Sequence, residues 1–199
     1  MFQECFELTE IDVSKWNMSN CQTIINAFFN CYKLKNIPVE NWDVRKVYYV
    51  KGAFARCLAL TTIDISKWEL DNIDKSTWLG FSDVFSSCGQ LTTIKMPKKQ
   101  FTVGNCDRTF GNCSQLKELD LSSLIITNRN PRLLVGCKNL TRLTVNDSFR
   151  VTPPVNTEPP NLPTKAGHLW FNINDPTKGY LGSELPDNVA ATYELKPIN

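Results

Sequence analysis

Eight cysteines, one histidine and a recurring aspartate are the residues of this 199-residue chain whose types could do chemistry. Cysteines can build disulfides, ligate zinc or act as nucleophiles, and spacing discriminates between these roles. Cys5, Cys31, Cys57, Cys88, Cys113 and Cys137 follow one another at steps of 26, 26, 31, 25 and 24 residues. Zinc requires C-x2-C clusters with His partners, and the chain has none. A disulfide framework pairs cysteines at unlike positions. Six cysteines at one repeat position therefore predict an internal column of thiols that behave as small apolar side chains. Cys21 and Cys106 fall outside the column and are the candidates for exposure. Any Cys–His or Ser–His–Asp arrangement would need His168, and G-x-S-x-G, Walker A and G-x-G-x-x-G motifs are all missing. Asp12, Asp64 and Asp120 share a repeat position, where carboxylates could serve acid–base chemistry or calcium. Pro38, Lys95 and Thr144 occupy the alternate rungs, which leaves carboxylates about 9.6 Å apart at strand spacing, too far to share an ion. The chain is thus read as a non-enzyme with no catalytic residues, no metal and no cofactor.

The elements that position these residues come from the pattern Phe-x-x-Cys-x-x-Leu-x-x-Ile-x-Val. It occurs at Phe2, Cys5, Leu8, Ile11 and Val13, and again at Phe28, Cys31, Leu34, Ile37 and Val39. Four further copies are anchored on Phe54, Phe85, Phe110 and Leu134. The closing Ile-x-Val alternation is half-buried strand chemistry, and the segment before it, as in residues 22–31, suits a short helix or helical turn. No single copy can bury its apolar side, so stacked copies share one core. The expected fold is α/β, a leucine-rich-repeat solenoid with a parallel sheet on one side, short helices or helical turns on the other, and a small β-rich C-terminal tail. The 31-residue step carries an insertion of about five residues near 75–81, expected to form a surface loop. Trp16, Trp42 and Trp68 recur at the 26-residue step and are expected to stack in the core, with Phe101 and Leu124 in their place later.

The unit Met1-Phe2-x-x-Cys5-x-x-Leu8-Thr9-x-Ile11-Asp12-Val13-Ser14-Lys15-Trp16 resembles the repeat of the BspA-like leucine-rich-repeat surface proteins. Asn41-Trp42-Asp43-Val44 and the run from Ile63 to Trp68 match it equally well. The resemblance covers residues 1–149. It implies a surface-exposed or secreted protein that acts in adhesion, binding a protein or glycan ligand on another cell or matrix. The family brings no catalytic residues.

Composition sets outer bounds. The charged fraction of 21% and apolar fraction of 42% belong to a folded chain. A net charge of +2 without clustered basic runs speaks against a nucleic-acid partner. No run of 18 apolar residues is present, so no membrane insertion is expected, and the first residues lack a basic-then-apolar export signal. An extracellular or cell-surface location would then require a processed form or a fragment. The alternative is a structural or host-recognition component of a larger assembly, such as a phage or viral appendage or a surface filament, self-associating through the ends of the stack. Residues 1–149 form the repeats, 150–163 a proline-rich connector, and 164–199 a cap or docking segment, with strands expected near 168–174 and 191–195 and a turn at 175–179. The candidate ligand-binding face is the outward side of the strands, including Glu10, Asp12, Asn36, Asp64, Lys95, Asp120 and Arg142. Tyr48, Tyr49 and Trp78 supply the aromatic anchors that interfaces favour.

Overall fold

The computed structural model describes residues 1–128, 132–150 and 162–198. Most of the connector, residues 151–161, lies outside the described residues. Six copies of the repeat stack on one another, and each copy has a turn side and a strand side.

The turn side corrects the expected fold class. Among the described residues the only helical element is a single 3-10 turn, Gly182–Glu184, in the tail. The segments read as short helices are chains of tight turns. Two backbone features account for this. The residue before each column cysteine has a left-handed backbone: Glu4, Asn30, Arg56, Ser87, Asn112 and Gly136 have φ between 59° and 76°. A second left-handed residue lies four positions earlier in four copies, at Asn26, Gly52, Asp83 and Arg108. A right-handed helix cannot pass through such residues.

Alternate amides also point out of the turn. In the second copy the Ala27, Phe29 and Cys31 amides donate to the carbonyls of Ile24, Asn26 and Phe28 in their own turn. The Asn26, Phe28 and Asn30 amides donate to Lys51, Ala53 and Ala55 in the next copy. An α-helix uses all its amides internally; here half of them join one repeat to the next. The anchor amides of Phe2, Phe28, Phe54, Phe85 and Phe110 reach Ala27, Ala53, Val84, Thr109 and Leu133 at 2.6–3.1 Å, so the ladder runs unbroken through all six copies.

Side chains follow the same ladder. The anchor phenylalanines stack with centroids 5.6–5.9 Å apart and interplanar angles of 17° or less from Phe2 to Phe110. Each column thiol after the first donates to the carbonyl of the anchor phenylalanine one copy earlier, Cys31 to Phe2, Cys57 to Phe28, Cys88 to Phe54, Cys113 to Phe85 and Cys137 to Phe110, at 3.0–3.2 Å. Cysteine suits the position because it is small, apolar and still a weak donor. Burial raises the thiol of Cys31 to about 11 and that of Cys137 to about 12, and pushes Cys57, Cys88 and Cys113 up further. Cys106, expected to be exposed, is fully buried, and burial raises its thiol too; Cys5 and Cys21 are the partly accessible ones. Trp16, Trp42 and Trp68 stack at 6.1 and 6.2 Å with 6° between planes. The indole N–H groups of Trp42 and Trp68 donate to the carbonyls of Val13 and Val39, one copy back. Phe101 and Leu124 sit buried opposite each other in the later copies.

The strand side is interrupted. Strands β1 (Thr62–Asp64) and β2 (Thr93–Lys95) pair in parallel. A second parallel pair joins β3 (Phe101–Val103) to β5 (Leu124–Ile126). A third joins β4 (Glu118–Leu121) to β6 (Arg142–Val145). No pairing connects β2 to β4, and the corresponding segments at 11–13 and 37–39 are not strands. The expected continuous parallel sheet is therefore replaced by short separate sheets, and with it the α/β leucine-rich-repeat solenoid is overturned.

The tail completes the last sheet. Strand β9 (Ala191–Pro197) lies antiparallel to β6, β7 (His168–Asn172) pairs with β9, and β8 (Asp175–Tyr180) pairs with β7. The expected turn at 175–179 is strand β8 instead. The reversal falls at Ile173 and Asn174, where the Asn172 side chain accepts the Asn174 amide. Trp170 and Tyr193 of the tail are buried, and Tyr193 lies opposite Leu143 of β6.

Candidate functional site

Aspartates and asparagines shape turns in most copies, several of them at the strand side. Asp12, Asp64 and Asp120 each accept the amide of the serine two residues on, Ser14, Ser66 and Ser122, at 2.9–3.0 Å. Asn17, Asp74 and Asn146 make the same bond to Ser19, Ser76 and Ser148. Such side-chain turns stand in for a backbone turn. The aspartate column therefore has a structural task at the end of the strand, which sets which oxygens remain for a ligand. A side-chain hydrogen bond from Ser14 lowers the pKa of Asp12. Burial opposes ionisation of Asp64, but hydrogen bonds from Lys95 and Ser66 outweigh it and hold the carboxyl near 2.

Three adjoining hollows run along the strand side. Asn36, Pro38, Thr62, Asp64 and Lys95 line one of about 390 Å³. Asp64, Lys95, Lys98 and Asp120 line the next, of about 520 Å³. Thr93, Glu118, Asp120, Arg142 and Thr144 line the third, of about 540 Å³. The two larger hollows fall at the seam where β2 and β4 do not pair. Asp64 and Lys95 form an ion pair at 2.8 Å across the β1–β2 pair. Arg142 is held by Glu194 of β9, and Thr144 hydrogen-bonds to Thr192 at 2.9 Å, so the tail strand extends the same face. A hydrogen bond from Lys196 is the main cause of a lowered Glu194 pKa. Glu10 and Asp12 are exposed one copy further out and line none of these hollows.

The aromatic candidates lie elsewhere. Tyr48 and Tyr49 have ring centroids 6.4 Å apart, and the Tyr48 carbonyl accepts the Asp74 amide at the root of the insertion. Trp78, in the insertion, is 57% exposed, and the Lys51 ammonium sits 3.1 Å from its ring centroid. The Lys51 and Val50 amides donate to Leu79 and Gly80, so the insertion keeps the inter-repeat ladder although it lengthens the copy. His168 is on β7 with its Nδ1 3.0 Å from the Ala166 carbonyl.

Two features of the turn side were not read from the sequence. A hollow of about 340 Å³ is lined by Lys51, Arg56, Asp83 and Arg108, together with Ser86 and Ser87. The position after the column cysteine carries Phe6, Tyr32 and Leu58 in the first three copies, with Phe6 and Leu58 each 42% exposed and the Phe6 and Tyr32 rings 5.1 Å apart. Aligning the column after each cysteine exposes this stripe, which ends at Gly89, Ser114 and Lys138. No comparable signal marks the cationic hollow, because its lining comes from four copies and its three cations occupy different repeat positions.

Among the described residues, no group of three His, Cys, Asp or Glu side chains is placed to hold a metal ion. Among the described residues, no helix is long and apolar enough to cross a membrane. Neither the curated proteins nor the solved structures contain a match to the chain. Residues 1–123, which carry the first four copies and most of the fifth, match the family described as Mycoplasma protein of unknown function, DUF285. That span exceeds half of the 199 residues, and the chain belongs to the DUF285 family.

Proposed function

We propose that the chain is a non-catalytic, BspA-like recognition module of the cell surface or extracellular space that engages a protein or glycan along its strand side. The observation that carries this reading is the run of three adjoining hollows from Asn36 to Thr144, walled by charged and hydroxyl side chains held in place by strand pairing and side-chain turns. Two further points support it. The repeat unit around Met1–Trp16 has the BspA-like pattern, and most of the column thiols are buried with raised pKa values that keep them from acting as nucleophiles.

The test is binding of the purified chain to immobilised matrix proteins and to a glycan panel, with the Lys95→Ala/Arg142→Ala double variant as comparison. A ligand whose affinity falls about tenfold or more in the variant, at an unchanged unfolding midpoint, supports the reading. Binding that the variant leaves intact, or no ligand in either panel, overturns it. Concentration-dependent self-association in light scattering, with no ligand found, would favour an assembly component instead.

A further inference from the structure

We propose that the turn-side hollow between Lys51, Arg56 and Arg108 binds an acidic saccharide, a sugar that carries a sulfate or carboxylate. The site lies on the other side of the repeat from the strand-side hollows and does not depend on them.

Charge is the first argument. Three cations and one carboxylate, Asp83, line the hollow, a balance of 3 − 1 = +2. Arg108 is paired with Asp83 at 3.1 Å. Lys51 and Arg56 have no carboxylate partner among the described residues. Each is instead set against an aromatic ring: the Lys51 ammonium lies 3.1 Å from the Trp78 centroid, and the Arg56 guanidinium carbon 5.6 Å from that of Tyr32. An aromatic face orients a cation without neutralising it, so both charges stay available to a ligand. Burial also disfavours the charged form of Lys51, a cost that an incoming anion would offset.

The choice of saccharide over peptide rests on the backbone and on the remaining donors. A peptide added as a strand needs free amides and carbonyls. Around the hollow the Asn26, Gly52, Phe54 and Arg56 amides are all spent on neighbouring copies. The available groups are side chains: the Ser86 and Ser87 hydroxyls, which make no hydrogen bond among the described residues, and the Lys51 and Arg56 cations. Hydroxyl donors and two directed cations lining a hollow of about 340 Å³ suit a sugar ring with an anionic substituent.

Calorimetric titration of the full chain tests this with four probes: a sulfated heparin-type tetrasaccharide, a sialic-acid tetramer that bears carboxylates only, neutral cellotetraose and octaglutamate. One or both acidic saccharides should bind, cellotetraose should not, and octaglutamate should be at least about tenfold weaker. The two acidic arms separate sulfate from carboxylate recognition. Lys51→Gln combined with Arg56→Asn should lower affinity about tenfold or more. Asparagine is chosen because it tolerates the left-handed backbone at position 56, and Arg56→Asn alone serves if the double variant does not fold. Lys95→Ala, on the strand side, should leave this affinity unchanged, so failure here and failure of the strand-side reading are distinguishable. No binding of either acidic saccharide at millimolar concentration, equal binding of octaglutamate, or an unaffected Lys51/Arg56 variant would overturn the proposal.

Discussion

The turn side and the strand side of each repeat are built from the same chain at the same spacing, yet they hold the stack together differently. On the turn side, backbone hydrogen bonds link every copy to the next from Phe2 to Val135, with the phenylalanine and thiol columns packed beneath them. On the strand side, pairing is broken between β2 and β4 and absent before β1, and polar hollows open where it fails. Continuous pairing therefore resides in the part of the repeat with irregular dihedrals. The part with strand chemistry is freer to vary its surface, because the stack does not depend on an unbroken sheet.

This contrast can be broken or sharpened by experiment. The largest effect is expected from Phe54→Ala, which removes a ring stacked between Phe28 and Phe85 in the core column. A loss of about 3–5 kcal/mol in urea denaturation is expected; a loss below about 1 kcal/mol would deny the turn side its leading role. Next is Gly52→Ala. Gly52 has φ +60°, and a Cβ there would stand 2.4 Å from Asn26 Oδ1. The left-handed backbone alone costs an alanine about 1–2 kcal/mol, so the midpoint should fall by at least that much, whereas an unchanged midpoint would show that the turn ladder can shift.

Thiol labelling probes the same side without mutation. In the native state only Cys5 and Cys21 should react readily with a thiol reagent, and all eight should react after unfolding. Rapid native labelling of Cys88 or Cys113 would mean that the ladder opens locally.

The strand side should respond more weakly. Its charge pairs are exposed enough that Lys95→Ala is expected to cost less than about 1 kcal/mol at neutral pH. The pair has a pH signature. The folded Asp64 carboxyl sits near 2, below its ordinary value of 3.8, so its stabilisation is complete above about pH 4 and is lost as pH falls through 2. Asp64→Asn should therefore flatten the stability curve between those values; an acid limb identical to that of the unsubstituted chain would show that the Asp64–Lys95 contact contributes nothing.

The repeat was legible because its signal is redundant. Six cysteines, five phenylalanines and three tryptophans keep one register, and the anchors are buried from Phe28 onward, while Phe2, Cys5, Leu8 and Ile11 of the first copy stay partly exposed. The helices were misread because the periodicity of Ile24, Ala27, Phe28 and Cys31 is the same for a helix and for a succession of tight turns that share one buried face. Asn26, Asn30 and Gly52 permit a left-handed backbone and hinted at the turns, but Glu4, Arg56, Ser87 and Arg108 occupy equivalent positions and hid the pattern. Cys106 was misjudged because it lies outside the column; it is buried just ahead of the turn that carries Thr109, whose buried hydroxyl donates to the Cys106 carbonyl at 2.9 Å.

The candidate surfaces divide in the same way. Alternation placed Asn36, Asp64, Lys95, Asp120 and Arg142 on one exposed side, since side chains along an extended segment alternate between faces. It could not show that β9 returns to hold Arg142 through Glu194, or that Lys51 lies over Trp78, because those contacts join residues from separate copies and from the tail.

What the sequence determined by itself is the existence, number and register of the copies and the identity of their buried columns, because burial repeats at a fixed spacing wherever identical units stack. Only the tertiary structure decided how the backbone between the columns is used. Whether an amide bonds within its own turn or to the next copy depends on dihedral choices of a few kcal/mol or less per residue, and it is the neighbouring copy, by offering a carbonyl to every second amide, that settles the choice.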